Sequence, residues 1–211
     1  LGSSPWSTCG SARAAAAPRL AQAVTAGMQQ LGMAGGSFEI ALNPEAEPQS
    51  WGLESAEFLV AGHAGSTPRP LSKVASGGEL SRLALAIAVT TTQSAAQGPQ
   101  TLIFDEIDVG IGGAVAETVG RLMKQLGARL GQQVLAVTHL PQVAACADHH
   151  LVVTKQLEGS ATVSQVRAVQ GEARVTEIAR MLGGERLSST SRAHAEEMLA
   201  SQAPTPSGTK R

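Results

Sequence analysis

Residues 73–82 have the sequence KVASGGELSR, in which Gly77 and Gly78 stand between Ser76 and Glu79. A serine with a glutamate three positions later is a capping box, so this spacing predicts that a helix starts here. The first amides of a helix have no partner within it, and the helix dipole adds partial positive charge. Because the two glycines remove the side chains that would keep an anion away, the turn is a candidate phosphate site. An ordinary capped helix after a glycine-rich turn would have the same pattern.

Two apolar runs follow, and each ends in side chains that can do chemistry. The first, TLIF, leads directly into Asp105 and Glu106. Such a run is typical of a strand buried on both faces of a parallel sheet, and ligands bind at the carboxyl edge of such sheets. Asp105 suits Mg²⁺, through water, and Glu106 can polarise a water molecule aligned with a γ-phosphate. Two acids that begin a solvated loop would give the same string.

The second run, VLAVT, ends at His139. A histidine at the tip of a buried strand can hydrogen-bond a γ-phosphate or orient the attacking water, although a structural histidine fits the sequence as well. Asp108 leads into a glycine-containing loop that could contact a second subunit, or it could cap the next helix. Adjacent His149 and His150 lack the spacing of metal ligands and indicate a loop that enters a strand.

Around these segments, strand and helix signals alternate, which predicts an α/β fold with a mostly parallel sheet flanked by helices. A small antiparallel strand pair is expected on the N-terminal side, from strands at 37–42 and 56–61 with a loop at 43–48. A C-terminal hairpin is expected from strands at 151–155 and 163–169. Helices are expected at 19–31, 79–93, 115–130, 141–146, 175–182 and 191–200. The apolar face of the second helix is expected to contain Leu80, Leu83, Ala84, Ile87 and Thr91.

Composition narrows the function classes. Hydrophobic residues make up 43% of the 211 residues, enough for a core, whereas aromatic residues make up 2%. The formal net charge of −1 gives no support for a nucleic-acid surface. Cys9 and Cys146 form no disulfide framework, which favours a reducing, cytosolic compartment. We expect no membrane segment, because no apolar run reaches the roughly 18 residues that a span needs.

The order and spacing of the three chemical segments match the signature, Walker-B, D-loop and H-loop elements of an ABC-type ATPase head. In detail they resemble the bacterial RecN family of DNA repair proteins, relatives of the SMC proteins whose split head is joined by a long antiparallel coiled coil. The resemblance covers about residues 20–200. The segments that carry it are 73–82, 103–111, 137–144 and 177–184.

The resemblance implies that this chain is the C-terminal half of such a head. Residues 1–18 would be a flexible or unrelated lead-in, 19–31 the end of the coiled-coil arm helix, 32–200 the half head, and 201–211 a disordered tail. No G-x-x-x-x-G-K-[ST] loop occurs in the sequence, so the element that cradles the β-phosphate would lie in an N-terminal half. We therefore expect the chain alone to be inactive.

The resemblance also implies a role for each candidate residue. Asp105 would help to hold Mg²⁺ through water, Glu106 would be the catalytic carboxylate, and His139 would contact the γ-phosphate. The signature residues would touch the ATP bound mainly by the opposite head: Ser76, Gly77, Gly78 and Glu79. Asp108 and Arg82 would lie at the interface between the two heads.

The function implied is repair of DNA double-strand breaks by ATP-driven head dimerisation and hydrolysis. The implied partners are the N-terminal half carrying Walker A, a second head, and DNA contacted by the complete protein. The implied location is cytoplasmic and nucleoid-associated. Two alternatives stay open: the head of another SMC-like chromosome or break-processing ATPase, and a non-catalytic dimerisation module. Intact Glu106 and His139 argue against the second, because a scaffold does not need them.

Overall fold

The structure is a computed structural model that describes residues 5–74, 76–92, 101–129, 132–159, 161–184 and 187–202. The chain divides into two compact units, one formed by Leu1–Ile111 with Leu126–Val137 and the other by Gly112–Gln125 with Thr138–Arg211. The elements, in chain order, are α1 Pro5–Gln30, β1 Ser37–Gln49, β2 Gly52–Ala61, β3 Arg69–Pro70, a 3-10 helix Leu71–Lys73, α2 Gly77–Thr92, β4 Thr101–Phe104, α3 Gly113–Arg129, β5 Gln133–Ala136, α4 Pro141–Cys146, β6 His150–Glu158, β7 Ala161–Val169, α5 Gly171–Gly183 and α6 Ser189–Ser201.

Helix α1 starts much earlier than the sequence pattern predicts, at Pro5 rather than near position 19. The preceding Ser/Ala/Gly-rich stretch includes the run Ala14–Ala17, and alanine is the strongest helix former. The Arg13 guanidinium also ties this part of the helix to the β1–β2 hairpin by donating to the carbonyls of Trp51 and Glu54. Further along α1, Leu20, Val24, Met28 and Leu31 recur at the helical spacing that predicted a helix at 19–31. That apolar face is confirmed, since Val24, Met28 and Leu31 are buried.

The three-stranded sheet of the first unit has the order β1-β2-β3, and both pairings are antiparallel. The predicted pairing of the first two strands is confirmed, but both strands are longer than expected. Residues 43–48, predicted to be a loop, continue strand β1. Pro44 still pairs with Glu54, and the register shifts only between Pro44 and Gln49. Proline fits here because the ladder is already irregular and a missing N–H costs little.

Helix α2 packs against α1, with Gly27 facing Ala86. The helix was predicted, but its apolar face was partly wrong: Leu83 is buried, whereas Leu80 and Ala84 are exposed. Leu85 and Ala86 are buried instead. Because nearly every residue from 83 to 89 is apolar, periodicity alone cannot select which side faces the core.

Strands β4 and β5 pair in parallel from Thr101–Gln133 to Phe104–Ala136. They form the parallel part of the α/β fold in the described residues. The prediction of burial on both faces is wrong for this chain, since Phe104 is buried but Ile103 is 70% exposed and Val137 is 64% exposed. The expectation fails because a run of apolar residues does not itself supply the elements that would cover both faces of a sheet.

The second unit combines the antiparallel hairpin β6–β7 with helices α4, α5 and α6. The hairpin, α4, α5 and α6 were all predicted. The buried cluster of α4, α5 and α6 is small and rich in alanine: Ala144, Ala145, Ile178, Ala179 and Ala195. Arg174 donates to the carbonyls of Ala144, Ala145 and Ala147 at distances of 3.1, 3.2 and 2.6 Å, which satisfies the C-terminal end of α4.

No helix within the described ranges is both long and apolar enough to cross a bilayer.

Candidate nucleotide site

The glycine-rich turn begins helix α2, as its sequence predicts. Ser76 Oγ accepts a hydrogen bond from the Glu79 amide at 3.4 Å, and the Ser76 carbonyl accepts from the Leu80 amide at 3.0 Å. Ser76 therefore caps the helix. Gly77 is exposed at this turn, so an anion from outside the chain can approach the helix N-terminus.

The two glycines allow this turn to lie against the loop that follows β4. A Cβ added at Gly77 would collide with Glu106 Oε2. A Cβ added at Gly78 would lie 2.8 Å from the Val109 carbonyl oxygen. Glycine at these positions therefore allows the close approach of backbone to loop, in addition to leaving the helix end open.

The two carboxylates occupy the carboxyl end of β4. The strand ends at buried Phe104, and both Asp105 and Glu106 are exposed. Asp105 Oδ1 accepts a hydrogen bond from the Glu106 amide at 2.9 Å. Glu106 has a φ of 56°, and among the described residues it is the only one other than glycine with a positive φ. A glutamate in the left-handed region is unusual, and it keeps that conformation only where its surroundings impose it.

The loop after Glu106 is fixed at several points. Ile107 is completely buried, and the Val109 amide donates to the Glu106 carbonyl at 3.2 Å. Asp108 and Arg82, both predicted at an interface between heads, are only 3% and 6% exposed, so their side chains face their own chain in this conformation. Their place at an interface stays a prediction.

Arg82 Nη1 donates to the Val109 carbonyl at 2.7 Å. Burial lowers the pKa of this guanidinium, and the nearby Glu79 carboxylate opposes that shift. Ser81 precedes Arg82 in α2, and its Oγ donates a hydrogen bond to the Asp105 carbonyl at 2.6 Å. No sequence pattern selects Ser81, because a serine inside a helix usually bonds its own preceding turn.

The strand that leads to His139 runs parallel to β4, as predicted. The Val137 amide donates to the Phe104 carbonyl at 3.0 Å, so both strands end at the same edge of their sheet. Thr138 and His139 belong to the second unit, in which Thr138 Oγ1 accepts from the Leu140 amide at 3.0 Å and His139 is exposed. The convergence of His139 with Glu106 on one phosphate stays a prediction.

Adjacent His149 and His150 lead from a loop into a strand, as predicted. His150 begins β6. Asp148 forms an ion pair with Lys124 at 3.4 Å, and Lys124 also donates to the Gln202 carbonyl at 3.1 Å. The loop between α4 and β6 is thus tied to both α3 and the end of α6.

No family model matches this chain. The fold resembles that of an SMC head domain: a solved head with a coiled coil and joint from Pyrococcus yayanosii superimposes with a TM-score of 0.53 at 22% identity, over 75% of this chain and 28% of that one. The fold, with its glycine turn beside a carboxylate-bearing strand, is therefore that of an SMC-type head.

The sequence relatives are more specific. The chain is 44% identical over 158 residues to the DNA repair protein RecN of Haemophilus influenzae, covering 74% of this chain and 28% of the relative. It is 42% identical over 200 residues to RecN of Streptomyces coelicolor, covering 89% of this chain and 34% of the relative. The chain belongs to the RecN family, and it spans about a third or less of the length of these relatives.

Proposed function

We propose that this chain is the C-terminal part of a RecN-type ATPase head that acts in recombinational repair of DNA double-strand breaks. The observation that supports this most is the placement of Glu106. It follows a parallel strand, has a left-handed backbone, and lies beside the glycine turn of α2. A solvated loop acid needs none of these constraints.

In the proposed reaction, Glu106 polarises or deprotonates a water molecule aligned with the γ-phosphate of ATP. Asp105 is the residue that would help to hold Mg²⁺, through water. Within the described residues no three His, Cys, Asp or Glu side chains are grouped to hold a metal ion. A single carboxylate completed by water and phosphate oxygens is nevertheless a usual donor set for Mg²⁺. When bound, the ion neutralises charge on the phosphates.

The signature residues Ser76, Gly77, Gly78 and Glu79 would act on the ATP held by a second head. The capped, exposed N-terminus of α2 supports this, since it offers amides and a partial positive charge to an incoming phosphate. ATP would thereby join two heads. His139 would contact the γ-phosphate, and Asp108 and Arg82 would support the contact between heads.

The phosphate-cradling loop is absent from this sequence, so the proposal requires an N-terminal part of the head. The uncovered face of β4 and β5, which includes Ile103 and Val137, is the type of surface that such a part would cover. DNA contact would belong to the complete, cytoplasmic and nucleoid-associated protein, because this chain carries no net positive charge.

Steady-state ATP hydrolysis by the complete protein tests the proposal. Glu106→Gln should lower kcat by at least about a hundredfold, within the range expected when a general base is lost. The matched control is Glu117→Gln, which changes an exposed carboxylate on α3 and should leave kcat unchanged. Turnover by Glu106→Gln at the wild-type rate would refute the catalytic assignment.

Two other functions give different outcomes. A non-catalytic dimerisation module would show no ATP turnover in either form, even with the N-terminal part present. The head of another SMC-like chromosome or break-processing ATPase would hydrolyse ATP by the same residues, and the length of the coiled-coil arm in the complete protein would separate it from RecN. The sequence identity to RecN relatives favours the repair function.

A further inference from the structure

Two consecutive side chains of α2 hold the backbone on either side of Glu106. Ser81 Oγ donates to the Asp105 carbonyl at 2.6 Å, immediately before Glu106. Arg82 Nη1 donates to the Val109 carbonyl at 2.7 Å, at the far end of the same turn. Both acceptors are main-chain oxygens, so these bonds constrain the path of the loop rather than the orientation of one side chain.

The segment held in this way needs such support. Glu106 has a φ of 56°, and a non-glycine residue keeps that conformation only where its surroundings impose it. Inside the loop, the Glu106 amide donates to Asp105 Oδ1 at 2.9 Å and the Val109 amide donates to the Glu106 carbonyl at 3.2 Å. These local bonds close the turn, whereas the bonds from Ser81 and Arg82 attach it to the helix.

The bond from Arg82 to the loop lies among closely packed residues. Its side chain is buried, and its Nε has no hydrogen-bond partner, so Arg82 keeps its position through Val109 and through close packing. Gly78 makes room for this bond, because a Cβ there would lie 2.8 Å from the Val109 oxygen and 3.2 Å from Arg82 Nη1. Gly78 is therefore required for the contact between α2 and the loop, whether or not a nucleotide is bound.

We propose that Ser81 and Arg82 are positioning residues that couple the first turns of α2 to the Glu106 carboxylate of the same chain. The inference rests on the proposed function, in which Glu106 acts on the water and the N-terminus of α2 contacts a nucleotide held by a second head. A displacement of that helix end then changes the loop geometry at Glu106. The nucleotide bound opposite thereby controls whether this carboxylate is aligned.

Ser81 provides the cleaner test, because it is partly exposed and alanine is well tolerated in a helix. Ser81→Ala removes the bond to Asp105, and Ser81→Thr keeps a hydroxyl that can restore it. The matched control is Thr90→Ala, which removes a side-chain bond of similar length (2.8 Å, to the Ala86 carbonyl) from the same helix, away from the loop.

In the complete protein we expect Ser81→Ala to lower kcat for ATP about tenfold while KM changes by less than about twofold, because the alignment of Glu106 matters in the transition state and not in ATP binding. Ser81→Thr should restore most of kcat, and Thr90→Ala should have the wild-type value. A raised KM with an unchanged kcat would overturn the inference, because it would mean that Ser81 affects ATP binding rather than the alignment of Glu106.

Amide hydrogen exchange gives a readout that does not depend on turnover. Loss of the Ser81 bond should speed exchange at the Val109 amide in the loop about fivefold, the factor expected for one ordinary hydrogen bond, with no change in exchange within α2. Unchanged exchange in Ser81→Ala, or the same acceleration in Thr90→Ala, would contradict the proposal. If Glu106→Gln hydrolyses ATP normally but Ser81→Ala still loosens the loop, the proposed function fails while the structural coupling stands.

Discussion

At the scale of single residues, Glu106 combines a proposed chemical role with an unfavourable backbone conformation. The left-handed region costs an ordinary L-residue roughly 1–2 kcal/mol, a cost that glycine does not have. The pattern of apolar residues followed by two acids predicted which carboxylates end the strand. It could not predict the φ of 56°, because no local pattern requires that angle and the loop also contacts Ser81 and Arg82, which are distant in sequence.

This conformation gives a stability test. We expect Glu106→Gly to have a free energy of unfolding about 1 kcal/mol higher than Glu106→Ala, because only glycine adopts positive φ without steric cost. In the middle of helix α3, Glu117→Gly should instead be about 1 kcal/mol less stable than Glu117→Ala. Urea denaturation of the four variants measures both differences. The same order at the two positions would show that Glu106 is not strained.

At the scale of elements, the contact between α3 and α4 depends on one missing side chain. A Cβ added at Gly120 would lie 2.7 Å from Cys146 Sγ and 3.2 Å from the Val143 Cα atom. Burial raises the pKa of the Cys146 thiol, with the Glu117 carboxylate acting in the same direction. Cys146 therefore behaves as a small apolar residue at this contact.

We expect Gly120→Ala to lower the free energy of unfolding by about 1–3 kcal/mol, the usual cost of overpacking. Gly127→Ala on the same helix is the matched control: its nearest neighbours would be 3.5 Å away, at ordinary contact distance. That variant should gain about 0.5–1 kcal/mol from helix propensity. Thermal or urea unfolding compares them, and a stable Gly120→Ala would mean that α3 and α4 can move apart without cost.

The start of β6 makes stability depend on pH through His150. Burial lowers the pKa of this imidazole below its ordinary 6.5, the Arg174 guanidinium lowers it further, and the Glu177 carboxylate partly opposes both. The folded chain therefore favours neutral His150. Its contribution to stability is complete above pH 6.5 and is lost as the pH falls from 6.5 through the folded-state pKa.

The expected result is a free energy of unfolding that falls between pH 7.5 and pH 5.5, with a smaller fall in His150→Gln. His149→Gln, at the exposed neighbouring position, should retain the wild-type slope. Urea denaturation at the two pH values measures the slopes. Identical slopes for wild type and His150→Gln would show that another group titrates instead.

Elements with strong periodicity were predictable, and those decided by tertiary contacts were not. The helical faces of α1 and α5 repeat apolar residues clearly, so their existence followed from spacing. The early start of α1 at Pro5 did not, because it is stabilised by Arg13 bonds to a hairpin tip some forty positions away. The length of β1 was missed for a similar reason, since Pro44 normally indicates a loop but here pairs with Glu54.

At the scale of the whole molecule, the exposed apolar faces set the behaviour of the chain in solution. One face belongs to β4 and β5, and another belongs to the hairpin, where Leu151, Val153 and Val166 are exposed. Contiguous apolar surface of this kind normally contacts other protein. The apolar runs in the sequence indicated full burial, because a run carries no information about which neighbours are present.

Ile103→Thr tests what these faces do. In the chain alone this change should lower binding of an anilinonaphthalene sulfonate dye and change the free energy of unfolding by less than about 0.5 kcal/mol, because the side chain is exposed. Ile107→Thr, at a completely buried position, should cost about 2–4 kcal/mol. In the complete protein, Ile103→Thr should become destabilising if the N-terminal part covers this face. No difference between the two contexts would place that part elsewhere.

Part of the candidate site could be predicted from the sequence, and part could not. The sequence alone selects Ser76, Asp105, Glu106 and His139 as candidates, because each lies at a recognisable helix start or strand end. Their chemical roles stay predictions. The structure adds Ser81 as a contact, and it encloses Asp108 and Arg82 within their own chain. These features could not be predicted, since they depend on how one face of α2 meets a loop more than twenty positions later.

The long helix and the long hairpin are joined at two separate places. Near the root, the Phe38 amide and carbonyl exchange hydrogen bonds with Thr25 Oγ1, at 2.9 and 3.3 Å. Near the tip, Arg13 donates to the carbonyls of Trp51 and Glu54. A single attachment would let the two elements pivot, whereas two attachments resist torsion. Any twist applied along the helix axis must therefore turn the three-stranded sheet with it.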